Sequence, residues 1–144
     1  MSEILINSRN LIEHIRVLFP ELEDEYEKAM SEWEGSRSNY IIVGDVLQPY
    51  FVKQVEEGQT TDFLTRFAAF VERVCADGDQ EALNVLWVRI FEWLIFHPKE
   101  LKFIWPILGP LTKLNIKDAA GRWSAAARRL GRTENLPENN LPNE

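Results

Sequence analysis

The densest run of apolar residues in the chain extends from Leu83 to Phe96, where eleven of fourteen residues are apolar. A helix with apolar residues around most of its circumference is typical of a position that neighbours cover on several sides. A membrane-spanning helix needs about 20 predominantly apolar residues, so this run is too short to be one. Asp79 precedes it as a favourable N-cap, and Pro98 follows it. The pattern therefore predicts a buried central helix from Asp79 to Phe96.

Apolar residues at helical spacing predict several more helices around this one. Before it, helices are expected after Asn7 or Ser8, from Pro20 to about Trp33, from Asp45 to Gly58, and from Thr61 to the turn at residues 77–79. After it, a short helix is expected from Pro98, and a last helix from about Ile116 to Leu130. The β-branched run from Tyr40 to Val43 has no second strand to pair with, so we predict that it is an extended connector.

These elements predict an all-α fold, a single-domain bundle of about six or seven helices formed by residues 1–131 around the central helix. Residues 132–144 contain few apolar side chains to bury, so we expect them to form a disordered tail. Of the five tryptophans, we expect Trp87 or Trp93 inside the core and Trp33 or Trp123 partly exposed.

The overall charge indicates which kinds of partner the protein can bind, and the cysteine content indicates its cellular compartment. The chain has 16 basic and 23 acidic residues, a net charge of -7 at pH 7, which argues against nucleic-acid binding because phosphates require a basic surface. The single cysteine, Cys75, cannot form an intramolecular disulfide and indicates a reducing compartment. The N-terminus lacks the basic and apolar regions of a secretory signal. We therefore expect a cytoplasmic protein that binds neither nucleic acid nor membranes.

Residues that could carry out chemistry are few and scattered. The two histidines, His14 and His97, do not have the spacing of a zinc site, and no nucleophile or phosphate-binding motif occurs. Asp77, Asp79 and Glu81 resemble the start of a calcium loop, but the glycine and the glutamate that complete such a loop are missing. We expect these acids to form a turn and a helix N-terminus. The sequence therefore predicts no catalytic residue, no metal site and no cofactor.

Three polar residues interrupt the central apolar run: Asn84, Arg89 and Glu92. Charged groups on a largely buried helix must either reach solvent or pair with an opposite charge. Arg89 and Glu92 are three residues apart, so they could form an ion pair. Asn84 could join a buried network with them.

Charge is distributed unevenly along the chain. Residues 1–100 contain 19 acidic and 9 basic residues, a net charge of -10, whereas residues 101–144 contain 4 acidic and 7 basic residues, a net charge of +3. The acidic face from Glu21 to Glu34 could steer a basic protein towards the second helix, and a solvated surface is the alternative. The candidate partner-binding residues are Glu21, Glu23, Asp24, Glu25 and Glu27.

Four arginines lie near the other end of the chain: Arg122, Arg128, Arg129 and Arg132. They could dock an acidic surface, including the acidic face of a second copy of the same chain. The alternative is that the acidic and basic residues neutralise each other within the fold.

Three segments resemble an uncharacterised family of small bacterial all-helical proteins, some of which are associated with toxin-immunity settings. They are DVLQPYFVKQVEEG (Asp45 to Gly58), FLTRFAAFVERVCADGDQEALNVLWVRIFEWL (Phe63 to Leu94) and LGPLTK (Leu108 to Lys113). The resemblance covers Asp45 to Lys113 and leaves out the acidic second helix. It implies a helical fold, and it implies no enzymatic activity, cofactor or catalytic residue.

Three functions are consistent with these features. The leading hypothesis is a non-enzymatic cytoplasmic interaction domain, an immunity-type inhibitor whose acidic face binds a basic toxin. The first alternative is a homodimeric scaffold without a ligand. The second is a carboxylate-based enzyme that uses Asp77, Asp79 and Glu81 in a helical-bundle pocket, although the E-x-x-H motifs of carboxylate-bridged metal sites are missing from the sequence.

Overall fold

Helices form almost all of the regular structure in residues 5–32 and 38–143, which are the residues that the computed structural model describes. In chain order the α-helices are α1 (Leu11–Leu18), α2 (Glu23–Glu32), α3 (Asn39–Ile42), α4 (Gln48–Glu56), α5 (Asp62–Asp77), α6 (Gln80–Leu86), α7 (Glu92–Ile95), α8 (Pro98–Ile104) and α9 (Pro110–Arg129). Short 3-10 helices lie at Pro20–Leu22, Trp105–Ile107 and Pro137–Asn140, and π-helical turns lie at Val43–Leu47 and Trp87–Phe91.

Each π-helical turn joins the α-helices on either side of it into one longer helix. The described residues therefore form seven continuous helices, in agreement with the predicted number. The fold class, a single-domain all-α bundle, is confirmed.

The longest apolar run of the sequence forms one continuous helix over residues 80–95, which we call the central helix. It consists of α6, the π-helical turn Trp87–Phe91 and α7. Asp79 caps its N-terminus, because Asp79 Oδ1 accepts a hydrogen bond from the Ala82 backbone N–H at 2.8 Å. The central helix packs against α5, α8 and α9. The predicted helix from Asp79 to Phe96 is therefore confirmed to within one residue at each end.

One side of the central helix faces solvent, which the sequence pattern does not predict. Val88 and Phe96 are 45% and 48% exposed, and Asn84 is exposed as well. The apolar pattern indicates which side chains favour burial, but it does not show whether the fold supplies enough neighbours to cover all of them. The central helix is thus covered on several faces and open on one.

Arg89 does not form the predicted ion pair with Glu92. Its guanidinium lies against Gly44, in the space that a Cβ would need at that position, so the two π-helical turns meet there. A π-helical turn takes more residues than an α-helical turn, and an i,i+3 pair is therefore rotated apart within it. Asn84 is exposed and accepts a hydrogen bond from the Gln80 side chain at 2.8 Å. The possible buried network of Asn84, Arg89 and Glu92 is therefore not formed.

α5 carries the largest apolar side of the bundle. Thr61 caps it as predicted, because the Leu64 backbone N–H donates a hydrogen bond to Thr61 Oγ1 at 3.2 Å. Its phenylalanines pack with those of two other elements, and the rings of Phe51 and Phe67 stack with centroids 4.3 Å apart. The whole cluster comprises Phe19, Phe51, Phe63, Phe67 and Phe70.

Residues 39–56 form one helix, which contradicts two predictions. Tyr40 lies in α3 instead of an extended connector, and Asp45 lies inside the π-helical turn instead of at a helix start. β-Branched residues have a modest intrinsic helix propensity, which tertiary packing overrides when their side chains are buried. Ile42 and Val43 are both buried here. Burial therefore decides the conformation of this segment.

The last helix begins at Pro110, six residues before the predicted start at Ile116. Gly109 is its N-cap and has no side chain to accept a hydrogen bond. Glu72 of α5 takes that role: its carboxylate accepts hydrogen bonds from the Leu111 and Thr112 backbone N–H groups at 3.1 and 2.8 Å. A Cβ at Gly109 would collide with this carboxylate. A cap supplied by another helix leaves no local sequence signal.

Residues 136–141 pack against α9 and the central helix, which differs from the expected disorder of residues 132–144. Leu136 is buried. The Glu138 backbone N–H donates a hydrogen bond to Ser124 Oγ at 3.0 Å, and the Asn140 side chain donates one to the Ile95 carbonyl oxygen at 2.7 Å. Polar side chains thus hold a segment whose low apolar content indicated disorder.

Candidate functional site

The five predicted partner-binding acids separate into two groups, and the first group is used within the molecule. Glu21 Oε2 lies 2.5 Å from Arg66 Nη2, and the Glu23 carboxylate forms an ion pair with Arg16. In each case the hydrogen bond from the arginine lowers the pKa of the glutamate below its usual value. Glu21 and Glu23 therefore hold the start of α2 against α1 and α5.

The second group, Asp24, Glu25 and Glu27, remains exposed. These three residues are the exposed part of the predicted acidic face, and the name acidic face refers to them alone from this point on. Tyr26 and Ala29 turn towards the core, so at 3.6 residues per turn the three acids lie on the flanks and the outer side of α2. Glu34, the predicted end of the acidic surface, lies outside the described residues, as does Trp33.

A cleft of about 440 Å³ lies beside the acidic face, between α2 and the helix over residues 39–56, and we call it the acidic cleft. Glu25 and Glu32 line it from α2, and Asp45 lines it from the π-helical turn. Among the described lining residues, three carry a carboxylate and one, Lys28, carries an ammonium group. The sequence did not indicate Asp45 as part of a site, because its position beside α2 depends on how two helices pack.

The acids of the enzyme hypothesis do not form a metal site in the structure. Asp77 ends α5, Asp79 caps α6, and Glu81 lies in the first turn of α6. The Asp79 backbone N–H also donates a hydrogen bond to the Ile6 carbonyl oxygen at 2.8 Å. Within residues 5–32 and 38–143, no three His, Cys, Asp or Glu side chains lie close enough together to hold a metal ion.

The two histidines and the cysteine take part in local packing. Burial lowers the pKa of His14, and the nearby charge of Arg73 lowers it further. His97 Nδ1 lies 2.6 Å from the Trp93 carbonyl oxygen, and its ring stacks on the Trp93 ring. Burial raises the pKa of the Cys75 thiol to about 11, so little thiolate is present near neutral pH. Cys75 is accordingly a poor nucleophile.

A second surface, on the central helix and α9, has no counterpart among the predicted sites. Phe96 and Trp123 pack edge to face with ring centroids 5.4 Å apart, although Trp123 is 43% exposed. Val88 lies on the same open side of the central helix, and we call Val88, Phe96 and Trp123 the aromatic surface. Next to it, the Arg122 guanidinium lies 5.2 Å from the centroid of the Trp87 ring. Large exposed apolar side chains in contact are typical of interaction sites.

The burial of the tryptophans agrees in part with the prediction from the sequence. Trp123 is exposed, as expected for one of the outer tryptophans, whereas Trp87 and Trp93 are only partly buried. Trp105 is the tryptophan with the least exposure among the described residues, at 4%. Trp105 lies in the apolar pattern of the predicted short helix after Pro98, with Leu101 and Leu108, but that pattern alone did not mark it as more buried than the other tryptophans.

Basic residues of the C-terminal region surround Trp105. Lys113 Nζ and Lys117 Nζ lie 5.4 and 5.9 Å from the centroid of its ring, and Lys102 borders a cavity of about 600 Å³ between α8 and residues 139–143. The predicted basic arginines are partly neutralised: Arg122 lies near Asp118, and Arg128 pairs with Glu138.

Comparison with known proteins identifies a family but no function. No helix among the described residues is both long enough and apolar enough to cross a membrane. Comparison with curated proteins and with solved structures gives no match. The family described as "Domain of unknown function (DUF7674)" matches residues 12–123, which is more than half of the chain. The chain therefore belongs to the DUF7674 family.

Proposed function

We propose that this protein is a non-enzymatic interaction domain that binds a basic protein through the acidic face of α2 and the adjacent acidic cleft. One observation carries the proposal: Glu21, just before α2, and Glu23, its first residue, anchor the helix by ion pairs, whereas the other three predicted acids project into solvent. The helix thus has a fixed position and an outward negative charge.

The anchors give the acidic face a defined geometry before a partner arrives. Arg66 contacts Glu21 of the short 3-10 helix before α2 and also donates a hydrogen bond to the Leu18 carbonyl oxygen of α1 at 2.5 Å. The Arg16 guanidinium pairs with Glu23 and lies 4.2 Å from the centroid of the Tyr26 ring. A surface that is ordered in advance loses less conformational entropy on binding. Its charge also increases the association rate with an oppositely charged partner.

The more specific form of the proposal is an immunity-type inhibitor, in which the acidic face covers the basic active site of a toxin. Its support is the resemblance of Asp45 to Lys113 to helical proteins from such settings, together with the net charge of -7. A basic partner is favoured because the acidic cleft adds Glu32 to the charge of the acidic face.

The test is affinity capture of partner proteins from the native host with two tagged, charge-reversed variants. The test variant carries Asp24→Lys, Glu25→Lys and Glu27→Lys. The matched control carries Glu56→Lys, Glu57→Lys and Glu134→Lys, three exposed acids on other elements, so both variants change the net charge equally. Proteins captured by each tagged form are identified by mass spectrometry, and the affinity of the purified partner is then measured by calorimetry.

We expect the wild type and the control to capture the same basic protein, which high salt releases, and the test variant to bind it at least about tenfold more weakly. The salt dependence follows from the screening of surface charges. The proposal is wrong if the control loses binding while the test variant retains it, or if all three forms bind equally.

A further inference from the structure

We propose that the aromatic surface is the contact between two copies of this chain, related by a two-fold axis. Val88, Phe96 and Trp123 are each more than two-fifths exposed, and Phe96 and Trp123 already contact each other. Tryptophan and phenylalanine are enriched at the centres of protein interfaces because they bury a large area with few rotatable bonds. Phe96 and Trp123 give the apolar centre of an interface, and Val88 adds exposed apolar area on the central helix.

Two well-packed helices hold the aromatic surface rigidly. Trp87 Nε1 donates a hydrogen bond to Asn115 Oδ1 at 3.1 Å, and further along Phe96 contacts Trp123. The central helix and α9 therefore run in the same direction, side by side. Ile90 and Ile116 are fully buried on their inner sides. A partner that binds two helices already packed together has few residues to order, which lowers the cost of association.

The charges beside the aromatic surface fit a second copy. Glu92 lies one helical turn before Phe96, and Arg122 directly precedes Trp123, so one carboxylate and one guanidinium lie on different helices next to the apolar centre. Across a two-fold axis, a contact between two different residues forms twice, with the two copies exchanged. In the proposed dimer, Arg122 of one copy faces Glu92 of the second copy, and the same pair forms twice. A partner with charge of one sign would oppose one of these two groups.

Arg122 is available for such a pair. Its ion pair with Asp118 spans 3.5 Å, and both side chains are more than half exposed. Exposed ion pairs of this kind contribute little to stability. Arg122 can therefore leave Asp118 and pair with Glu92 of the second copy at a small cost in free energy.

The size of the aromatic surface indicates a weak dimer. Stable protein interfaces bury about 800 Å² on each partner, which is more than three partly exposed side chains supply. We therefore expect a dimer that dissociates on dilution through the micromolar range.

Dimer formation does not depend on the proposed binding of a basic protein. α2 packs on the 3-10 helix Pro20–Leu22, on α3 and on the π-helical turn Val43–Leu47, whereas the aromatic surface lies on the central helix and α9. Each copy in the dimer would thus present its own acidic face.

The first test is sedimentation velocity of the full chain over a wide concentration range. We expect the wild type to dimerise with increasing concentration, and Trp123→Asp to weaken the dimer at least about tenfold. Val17→Asp, at an apolar position on α1 that is 80% exposed, is the matched control and should behave as the wild type. A wild type that stays monomeric throughout, or a dimer that Trp123→Asp leaves unchanged, overturns the proposal.

The second test exchanges the two charges and does not rely on removing an aromatic side chain. Glu92→Arg and Arg122→Glu should each weaken the dimer, because each places like charges opposite each other. The double variant restores opposite charges in the two-fold arrangement and should recover dimerisation. Failure of the double variant to recover it, with helicity by circular dichroism unchanged, overturns the assignment of a two-fold contact at this surface.

Discussion

α5 buries seven of its sixteen residues, whereas α2 buries two of its ten, Tyr26 and Ala29. The buried side of α5 contributes three rings to the phenylalanine cluster. The start of α2 is held by arginines instead, Arg66 through Glu21 and Arg16 through Glu23. Both helices are amphipathic, but apolar packing holds the first and partly exposed ion pairs hold much of the second.

The difference shows at which positions this fold can accept substitutions without unfolding. Burial of a large apolar side chain contributes several kcal/mol, of the order of 3–5 for a phenylalanine lost to alanine, whereas an exposed ion pair contributes about 0–1 kcal/mol. Substitutions on the outer side of α2 should therefore alter binding and leave folding nearly unchanged. Substitutions on the inner side of α5 should do the reverse.

The largest effect is expected at Phe67, whose ring lies 4.3 Å from Phe51 and 5.9 Å from Phe63 between centroids. Phe67→Ala should lower the free energy of unfolding by about 3–5 kcal/mol, because it removes a fully buried ring and leaves a cavity. Urea unfolding measures the change. Phe96→Ala is the control with the same chemical change at a half-exposed site, and it should cost about 1 kcal/mol or less at low protein concentration. Equal losses of unfolding free energy for the two variants would refute the contrast between buried and exposed apolar side chains.

An intermediate effect is expected at Glu72, which joins α5 to the N-terminus of α9. Glu72→Ala removes the hydrogen bonds to the Leu111 and Thr112 backbone N–H groups and to the Thr112 hydroxyl. We expect a loss of about 2 kcal/mol in the free energy of unfolding, since a charged acceptor for helix N-terminal N–H groups is removed. Glu57→Ala, at an exposed glutamate after α4, is the control and should have almost no effect.

The contribution of Glu72 should also depend on pH. Burial acts to raise the pKa of Glu72, but the hydrogen bonds from Thr112 and Leu111 outweigh it, so the pKa is lowered. A lowered pKa in the folded state gives stability that is complete above the unfolded pKa and is lost as the pH falls through the folded value. The difference between wild type and Glu72→Ala should thus shrink from neutral pH to about pH 3. A difference that is constant over this range would contradict the assignment.

The smallest effect is expected at Arg66, which anchors Glu21. Arg66→Ala removes the ion pairs with Glu21 and Asp62 and the hydrogen bond to the Leu18 carbonyl oxygen. These side chains are partly exposed, so we expect a loss of about 1 kcal/mol that diminishes with added salt. Thermal unfolding at low and high salt measures it, with Asp62→Ala as a control that removes only the most exposed partner. A loss as large as that of Phe67→Ala would mean that Arg66 holds α2 by more than partly exposed ion pairs.

Local signals predicted the helices whose starts are capped by a nearby side chain. Thr61 and Asp79 each accept a hydrogen bond from the residue three positions later, so the cap can be recognised within a few letters of sequence. The apolar run after Asp79 then identified the central helix. The connector predicted at Tyr40 to Val43 was wrong because residue preference alone favoured an extended chain, and burial of Val43 decided otherwise.

The candidate surfaces were predicted less completely than the helices. The sequence identified the acids in and just before α2 but not which of them form ion pairs, because Glu21 meets an arginine 45 positions later in the chain. It identified Trp123 as exposed but not its contact with Phe96. Both depend on which helices become neighbours.

By itself, the sequence determined the all-α class, the caps of α5 and the central helix, and the abundance of acids on α2. These properties depend on residues within one or two helical turns of each other. Only the tertiary structure decided which acids remain free, where α9 begins and which aromatic side chains stay uncovered. Glu72 and Thr112, which set the start of α9, are 40 positions apart, and contacts over such separations follow from the packing of the whole bundle.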